Sequence, residues 1–404
     1  MREDAKALAD AFDLTRLSPE FAQDPFPTYR ALLAHAPVKR FEDGSLMVAR
    51  YDDLMRIYRD TQTFSSDKKA EFLPKYGDAP LYKHHTTSLV FNDPPLHTRV
   101  RRIMSGALTP RAIAAMEPGL VALVDRLLDA LPDPCDLIEH YASAIPVEVI
   151  GNLFDIPREE RAPLRDWSLA ILGALEPVLT PEQHQSGNTA VSAFSGYLRD
   201  LVARRRKSPG DPETDVLTRL MQDHRGEHLT EDELLQNCIF ILNAGHETTT
   251  NLIGNALDLF LEFPAERARL LADPTLIDSA VEEVLRHQSS NQLGNRITSK
   301  SCEISGLHLE PGTRVHLLMG AANRDPEQFT DPDRFNTART PNRHLAFAGG
   351  PHVCLGLTLA RMEGRIAIER FLTRYPGYSR NGSGTRTGRV RFRGFSHLPV
   401  RLGP

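Results

Sequence analysis

Cysteine is scarce in this chain of 404 residues, with Cys135, Cys238, Cys302 and Cys354 its only four and no CxxC pair among them. Cysteines so scattered do not form a disulfide scaffold. A tetrahedral zinc site recruits four clustered ligands, and His352 and Cys354 have no second pair at suitable spacing. Long apolar runs are missing too. None approaches the ~18 residues a membrane span needs, and "CIFILNAG" (238–245) reads as buried helix. The opening "MREDAKALAD" lacks the apolar core of a signal peptide. Nor is there an excess of basic charge: 48 Lys+Arg against 53 Asp+Glu leave a formal net charge of -5, which offers nucleic acid no basic face. The expectation is a soluble, cytoplasmic, monomeric protein with neither membrane nor nucleic-acid partners.

What is present is a globular composition, 41% hydrophobic and 25% charged, enough for one large core. Proline punctuates a mainly helical pattern. "PFPTYRALLAHAP" is a short amphipathic helix, "LMVARYDDLMRIYRD" a strand turning helical, and "TPRAIAAMEPGLVALVDRLLDAL" a helix with a Thr-Pro start. "RRRKSPGDPETD" is a basic helix end followed by a loop. Strand-like pieces are confined to "SCEISGLHLEPGTRVHLLM" and "GRVRFRGFSHLPVRL". These features predict one mainly α domain over 1–404 with a long central helix and small β-sheets, residues 1–20 or so forming a loose extension.

The longest helical pattern begins after Thr230, which with Glu233 makes a capping box, and stops before Pro264. Its middle is apolar nearly all round and so belongs in the interior. Within it "AGHETT" (244–249) is a polar defect. Gly245 weakens the helix by ~1 kcal/mol relative to alanine, and Glu247 puts a carboxylate in apolar surroundings. Thr248 can bond back to the Ala244 carbonyl and open the helix locally. Ala244 and Gly245 are small enough for a flat ligand to approach the backbone. An acid beside a hydroxyl at such a kink suits proton delivery. Glu283 and Arg286, three apart on another helix, can pair. The irregular segment "AANRDPEQFTDPDRFNTARTPNRHLAFAGG" needs internal polar anchors, and Arg334 is the natural third member of that network.

With "FAGGPHVCLG" (347–356) these pieces fall into order. Phe347, Gly350, Cys354 and Gly356 match the haem-binding signature of the bacterial cytochromes P450, and "AGHETT", "EVLR" and Arg334 resemble that family's oxygen-activation, core-helix and meander motifs. The resemblance runs from "DPFPTYRALL" to "RGFSHLPVRL", nearly the full chain. It implies a haem-thiolate monooxygenase whose Cys354 ligates the iron of haem b and whose thiolate push favours O–O cleavage. The start of the following helix would stabilise the thiolate. Gly349, Gly350 and Gly356 would permit a tight turn against the macrocycle, with Phe347 shielding the sulfur.

The resemblance further implies that His97, Arg101, Arg296 and His352 hold the two haem propionates, and that Glu247 and Thr248 relay protons for O–O cleavage. Arg99 and Arg102 are expected to face solvent, where an acidic redox partner could dock. Family and length together imply that electrons come from a separate ferredoxin and its NAD(P)H-linked reductase. The substrate is a small organic molecule. Ala244, Asn291, Gln292, Leu293, Phe395 and Ser396 are the candidate pocket residues, and "RHQSSNQLGNR" makes that wall polar through Ser289, Ser290, Asn291 and Gln292 unless these bond the local backbone. "EFLPKYGDAPLYKHHTTSLVF" (71–91) is expected to be the lid loop. Ala348 replaces a glycine common in relatives. Three rivals stand beside this reading. A cysteine phosphatase would need arginine at position 360, which is Ala360, with Arg361 one place late. A peroxygenase or isomerase would not need O2, and a haem sensor or carrier would have no use for a proton relay.

Overall fold

The computed structural model describes residues 2–223 and 226–403. Its axis is the helix Glu231–Glu262, 32 residues or about 48 Å at 1.5 Å per residue. The capping box forms: Thr230 Oγ accepts from the Glu233 amide at 3.2 Å, and the Glu233 carboxylate accepts from the Thr230 amide at 2.9 Å. At the far end Pro264 opens the next helix, because it cannot donate to the preceding turn. Helices Ala144–Leu153, Leu164–Gly173, Pro181–Lys207 and Leu357–Arg374 pack around this axis, and the largest apolar cluster lies where they meet it. Among the described residues no single helix is long and apolar enough to cross a membrane.

A five-stranded sheet flanks this helical mass in the order 38–40, 46–48, 314–318, 293–298, 64–65. The 46–48 and 314–318 strands run parallel and the other pairs antiparallel. Its register pairs Arg296 with Val315. Val315 is buried in the sheet's own core.

Two expectations are corrected here. The N-terminal stretch is not a loose extension: it forms the helix Arg2–Ala11, and Ala9, Phe12 and Leu14 are buried with Phe21, Phe26 and Tyr29. Apolar side chains that the segment offers only sparsely find a second surface to cover. The lid segment is not irregular either. It folds into helices Lys69–Tyr76 and Pro80–Thr87, whose Phe72, Tyr76, Leu81, His84 and His85 point inward.

Candidate active site

Cys354 lies in the loop before the helix Leu357–Arg374, whose N-cap is Gly356. The cysteine amide donates to the Phe347 carbonyl at 3.0 Å and closes the loop on itself. Gly350 has φ +63, and a Cβ there would sit 2.0 Å from the Tyr58 carbonyl oxygen, so only glycine fits. Gly349 packs against Met55 and Tyr58. Ala348 also adopts a positive φ, 57, a conformation that favours glycine. Burial pushes the Cys354 thiol up, while the Gly356 amide, Arg101 and Arg361 pull it down. Phe347 is half-buried, with the Arg361 guanidinium 4.9 Å above its ring.

Beside the loop, basic side chains converge, and among the described residues no carboxylate bonds them. The His97 and His352 rings lie 4.0 Å apart. Burial, then the charges of Arg296, His97 and Arg101, push His352 down to about 2. Among the described residues, the Nε2 atoms of both histidines and Nε of Arg296 are buried without a partner. Arg101 donates to the Val353 carbonyl at 2.7 Å, tying this cluster to the cysteine loop. Orphaned donors in a cationic cleft are costly. A ligand carrying two carboxylates resolves both costs, so the residues fit a haem with its propionates.

The middle of the central helix supplies the facing wall. Ile241, Ala244, Gly245 and Thr248 keep partial exposure while Leu242, Asn243, His246, Glu247 and Thr249 are buried. That spacing marks one helical face open to an internal space. Thr248 Oγ donates to the Ala244 carbonyl at 2.6 Å, the local opening read from sequence. Gly245 serves a different end from the one expected, since a Cβ there would lie 2.8 Å from Ile150 Cδ1 and its smallness admits the neighbouring helix.

Comparison with known proteins decides the identity of this arrangement. The sequence model described as Cytochrome P450 matches residues 167–273 and 267–378. The chain is 36% identical over 393 residues to a vitamin D(3) 25-hydroxylase of Pseudonocardia autotrophica, covering 95% of each. It is 34% identical over 367 residues to a biotin biosynthesis cytochrome P450 of Bacillus subtilis, covering 89% of this chain and 91% of that one. The crystal structure of P450BioI in complex with hexadec-9Z-enoic acid ligated acyl carrier protein superposes with TM-score 0.89 at 32% identity, over 95% of this chain and 100% of that one.

The chain belongs to the cytochrome P450 family.

It is thus an oxidoreductase of the monooxygenase class, and the family implies haem. Within this P450 several sequence expectations shift. Glu247 and Thr248, adjacent in sequence, lie about 100° apart around the helix, and in this conformation each side chain bonds a different partner. The Glu247 carboxylate is buried and accepts from Arg389 Nη1 at 2.6 Å on both oxygens. Arg389 Nη2 meanwhile donates to the Leu169 carbonyl. Burial pushes Glu247 up to about 7 against the pull of Arg389. Arg389 was not foreseen, because no local signal links residues 142 apart.

The third member of the Glu283–Arg286 network is Arg339, not Arg334. Arg339 Nε reaches both Glu283 oxygens, at 3.1 and 3.0 Å. Arg334 is exposed and offers only its carbonyl, to Arg286 and Arg339. Arg99 and Arg102 are also engaged, on Glu233 and Glu227.

The pocket list changes most. Gln292 Nε2 donates to the Ser289 carbonyl at 2.6 Å, and its Oε1 packs against Gly320. Ser289 Oγ donates to the Leu285 carbonyl at 2.8 Å. Ser290 Oγ donates to the Thr248 carbonyl at 2.8 Å, bracing the central helix at the site. Leu293 belongs to the N-terminal apolar cluster. Phe395 lies under the Arg386 guanidinium, 3.6 Å from it, and Ser396 bonds the Thr385 carbonyl. Of the polar wall, Asn291 stays half-exposed and bridges to Phe392. Residues 389–392, a few places before the expected pair, run beside this wall.

Proposed function

We propose that this P450 binds haem b through Cys354 and inserts one oxygen atom of O2 into a small organic substrate, using electrons from a separate ferredoxin and its NAD(P)H-linked reductase. The observation that carries the reading is the cleft beside the Cys354 loop, where among the described residues His97 Nε2, His352 Nε2 and Arg296 Nε are buried without a partner. Haem b supplies the dioxygen chemistry, and the thiolate's electron donation favours O–O cleavage. The chain does the rest. The Gly356 amide and Arg361 stabilise negative charge on Cys354 Sγ. His97, Arg101, Arg296 and His352 orient the propionates.

Thr248 spends its own proton on the Ala244 carbonyl, so its Oγ lone pairs are presented to the open face of the helix to accept a hydrogen bond. Burial raises Glu247 to about 7, so its carboxyl exchanges a proton near neutral pH, and it passes that proton toward Thr248 when its side chain leaves Arg389. This acid–hydroxyl pair favours an O2-dependent enzyme over a peroxygenase, an isomerase or a sensor, none of which needs delivered protons. A monomer in the cytoplasm fits these partners.

The test is turnover of a ligand that produces a low-to-high spin shift. The haem-loaded enzyme receives NADPH, O2 and a surrogate ferredoxin–reductase pair, or hydrogen peroxide alone. Product dependent on NADPH and O2 supports the proposal. Product only with peroxide, or none with either, contradicts it.

A further inference from the structure

A second group of buried charges lies on the side of the site formed by the 69–87 helices. Helix Leu164–Gly173 ends there, and its three outgoing carbonyls each take a side-chain donor. Ala174 accepts from Tyr76 Oη at 2.7 Å, Leu175 from Arg391 Nε at 3.0 Å, and Glu176 from Lys75 Nζ at 2.8 Å. The Glu176 carboxylate bonds neither cation through its side chain. It accepts from the backbone amides of Val390 at 2.9 Å and Arg391 at 3.1 Å, which fixes the backbone that carries Arg391. Glu71, the other acid here, pairs with Lys68 at 2.9 Å.

The cations therefore outnumber the acids. Lys68, Lys75 and Arg391 stand against Glu71 and Glu176, and the neighbouring His85 and His316 are held neutral by burial and by these charges. Arg391 donates Nη1 to the Leu293 carbonyl at 2.8 Å, but among the described residues its Nη2 has no partner. Lys75 makes a single hydrogen bond. Both side chains keep partial exposure in a region where burial pulls Lys75 down to about 8. Arg391 also abuts the site. Its carbonyl accepts from the Gln292 amide at 2.8 Å, and Ser290 of that same wall bonds Thr248. Capping a helix C-terminus explains one bond from each cation. It leaves a surplus positive charge and a donor on Arg391 without a partner among the described residues.

We propose that the substrate of this P450 is an organic monoacid whose carboxylate is held by Arg391 and Lys75, with its far end reaching the Ala244–Thr248 face of the central helix. The inference rests on the monooxygenase reading and narrows its substrate class. The free Nη2 of Arg391 and the ammonium of Lys75 can each donate to a carboxylate, and its single charge balances the surplus.

The test is spectroscopic titration of the haem-loaded enzyme with octanoic, dodecanoic and hexadecanoic acids and their methyl esters, following the spin-state shift, with calorimetry as a second readout. At least one acid should bind about tenfold or more tighter than its ester, because an ester leaves the buried cations unanswered. That preference should fall to about twofold or less in Lys75→Gln and in Arg391→Gln, and return in Lys75→Arg. Variants that lose thermal stability but keep the acid preference would reduce both residues to helix caps and overturn the proposal. So would an ester binding as tightly as its acid, or no acid binding at all. A red-shifted Soret band in the reduced, CO-bound enzyme confirms the haem-thiolate site in each case. Its loss would fault the function reading, and its presence confines any failure to the substrate class.

Discussion

Replacing Arg339 by alanine is the perturbation that best separates the structure from its sequence reading. Glu283 is fully buried and receives Arg286 Nε and Nη2 at 2.8 Å each, the Asn336 amide at 3.0 Å and Asn342 Nδ2 at 3.1 Å. Arg339 adds a charged donor shared between both oxygens. Removing one partner of a lone buried ion pair costs about 3–5 kcal/mol. Here Arg286 remains, so the loss is closer to that of one hydrogen bond to a charged group, about 2–3 kcal/mol. The bonds from Arg339 to the Thr330, Asp331 and Arg334 carbonyls add little, since water can replace them at an exposed edge. At ~2.1 cal/mol/K per residue, the unfolding entropy of 404 residues converts that loss into a Tm drop of about 3 °C. Arg334→Ala, an exposed side chain, should change stability by no more than about 0.5 kcal/mol. Circular dichroism melts of the haem-loaded variants provide the assay. A larger drop for Arg334→Ala than for Arg339→Ala would refute the assignment.

Three further outcomes follow from the site. Thr248→Ala removes the hydroxyl that faces the chamber, so it should retain haem yet divert reducing equivalents to hydrogen peroxide; NAD(P)H consumption that still matches product would sink this role. In the cysteine loop, Gly350→Ala should cost on the order of 2–4 kcal/mol because its Cβ meets the Tyr58 carbonyl, whereas Ala348→Gly should stabilise by about 1 kcal/mol by relieving a positive φ; melts showing the opposite signs would contradict the loop geometry. Burial raises Glu247 from 4.5 to about 7, so between those values the folded state holds a proton that the unfolded state has lost. Stability should fall as pH rises through that window, by at most about 1.4 kcal/mol per pH unit. Glu247→Gln should remove that component, and an unchanged pH profile of Tm would contradict it.

What was legible in the sequence was short-range. The capping box of Thr230 and Glu233 and the Thr248 back-bond depend on residues within a few places of one another, and their geometry follows from spacing. The cysteine loop was legible through its resemblance to a family signature, while the contact that demands glycine at 350 comes from distant Tyr58. The misses are long-range or aperiodic. Nothing near Glu247 announces Arg389, and nothing in a segment without regular period distinguishes Arg339 from Arg334 as the side chain turned inward. At the C-terminal end, Arg391 and Phe392 meet the wall through a backbone bond and a single bridge, before the regular pairing of Phe395–His397 begins. Polar residues at 289–292 looked like a substrate wall, but most of them satisfy the backbone of a buried crossing. Arg391 and Glu176 carried no motif at all; only packing shows that their charges are unbalanced.

The central claim is that Cys354 holds the haem iron as a thiolate, and the spectrum of the reduced, CO-bound protein tests it most directly. The native enzyme should show the red-shifted Soret band of a haem-thiolate, and Cys354→His should lose that band while its haem content is confirmed independently. A red-shifted band that persists in Cys354→His would mean that another residue ligates the iron, and the account would fail at its centre.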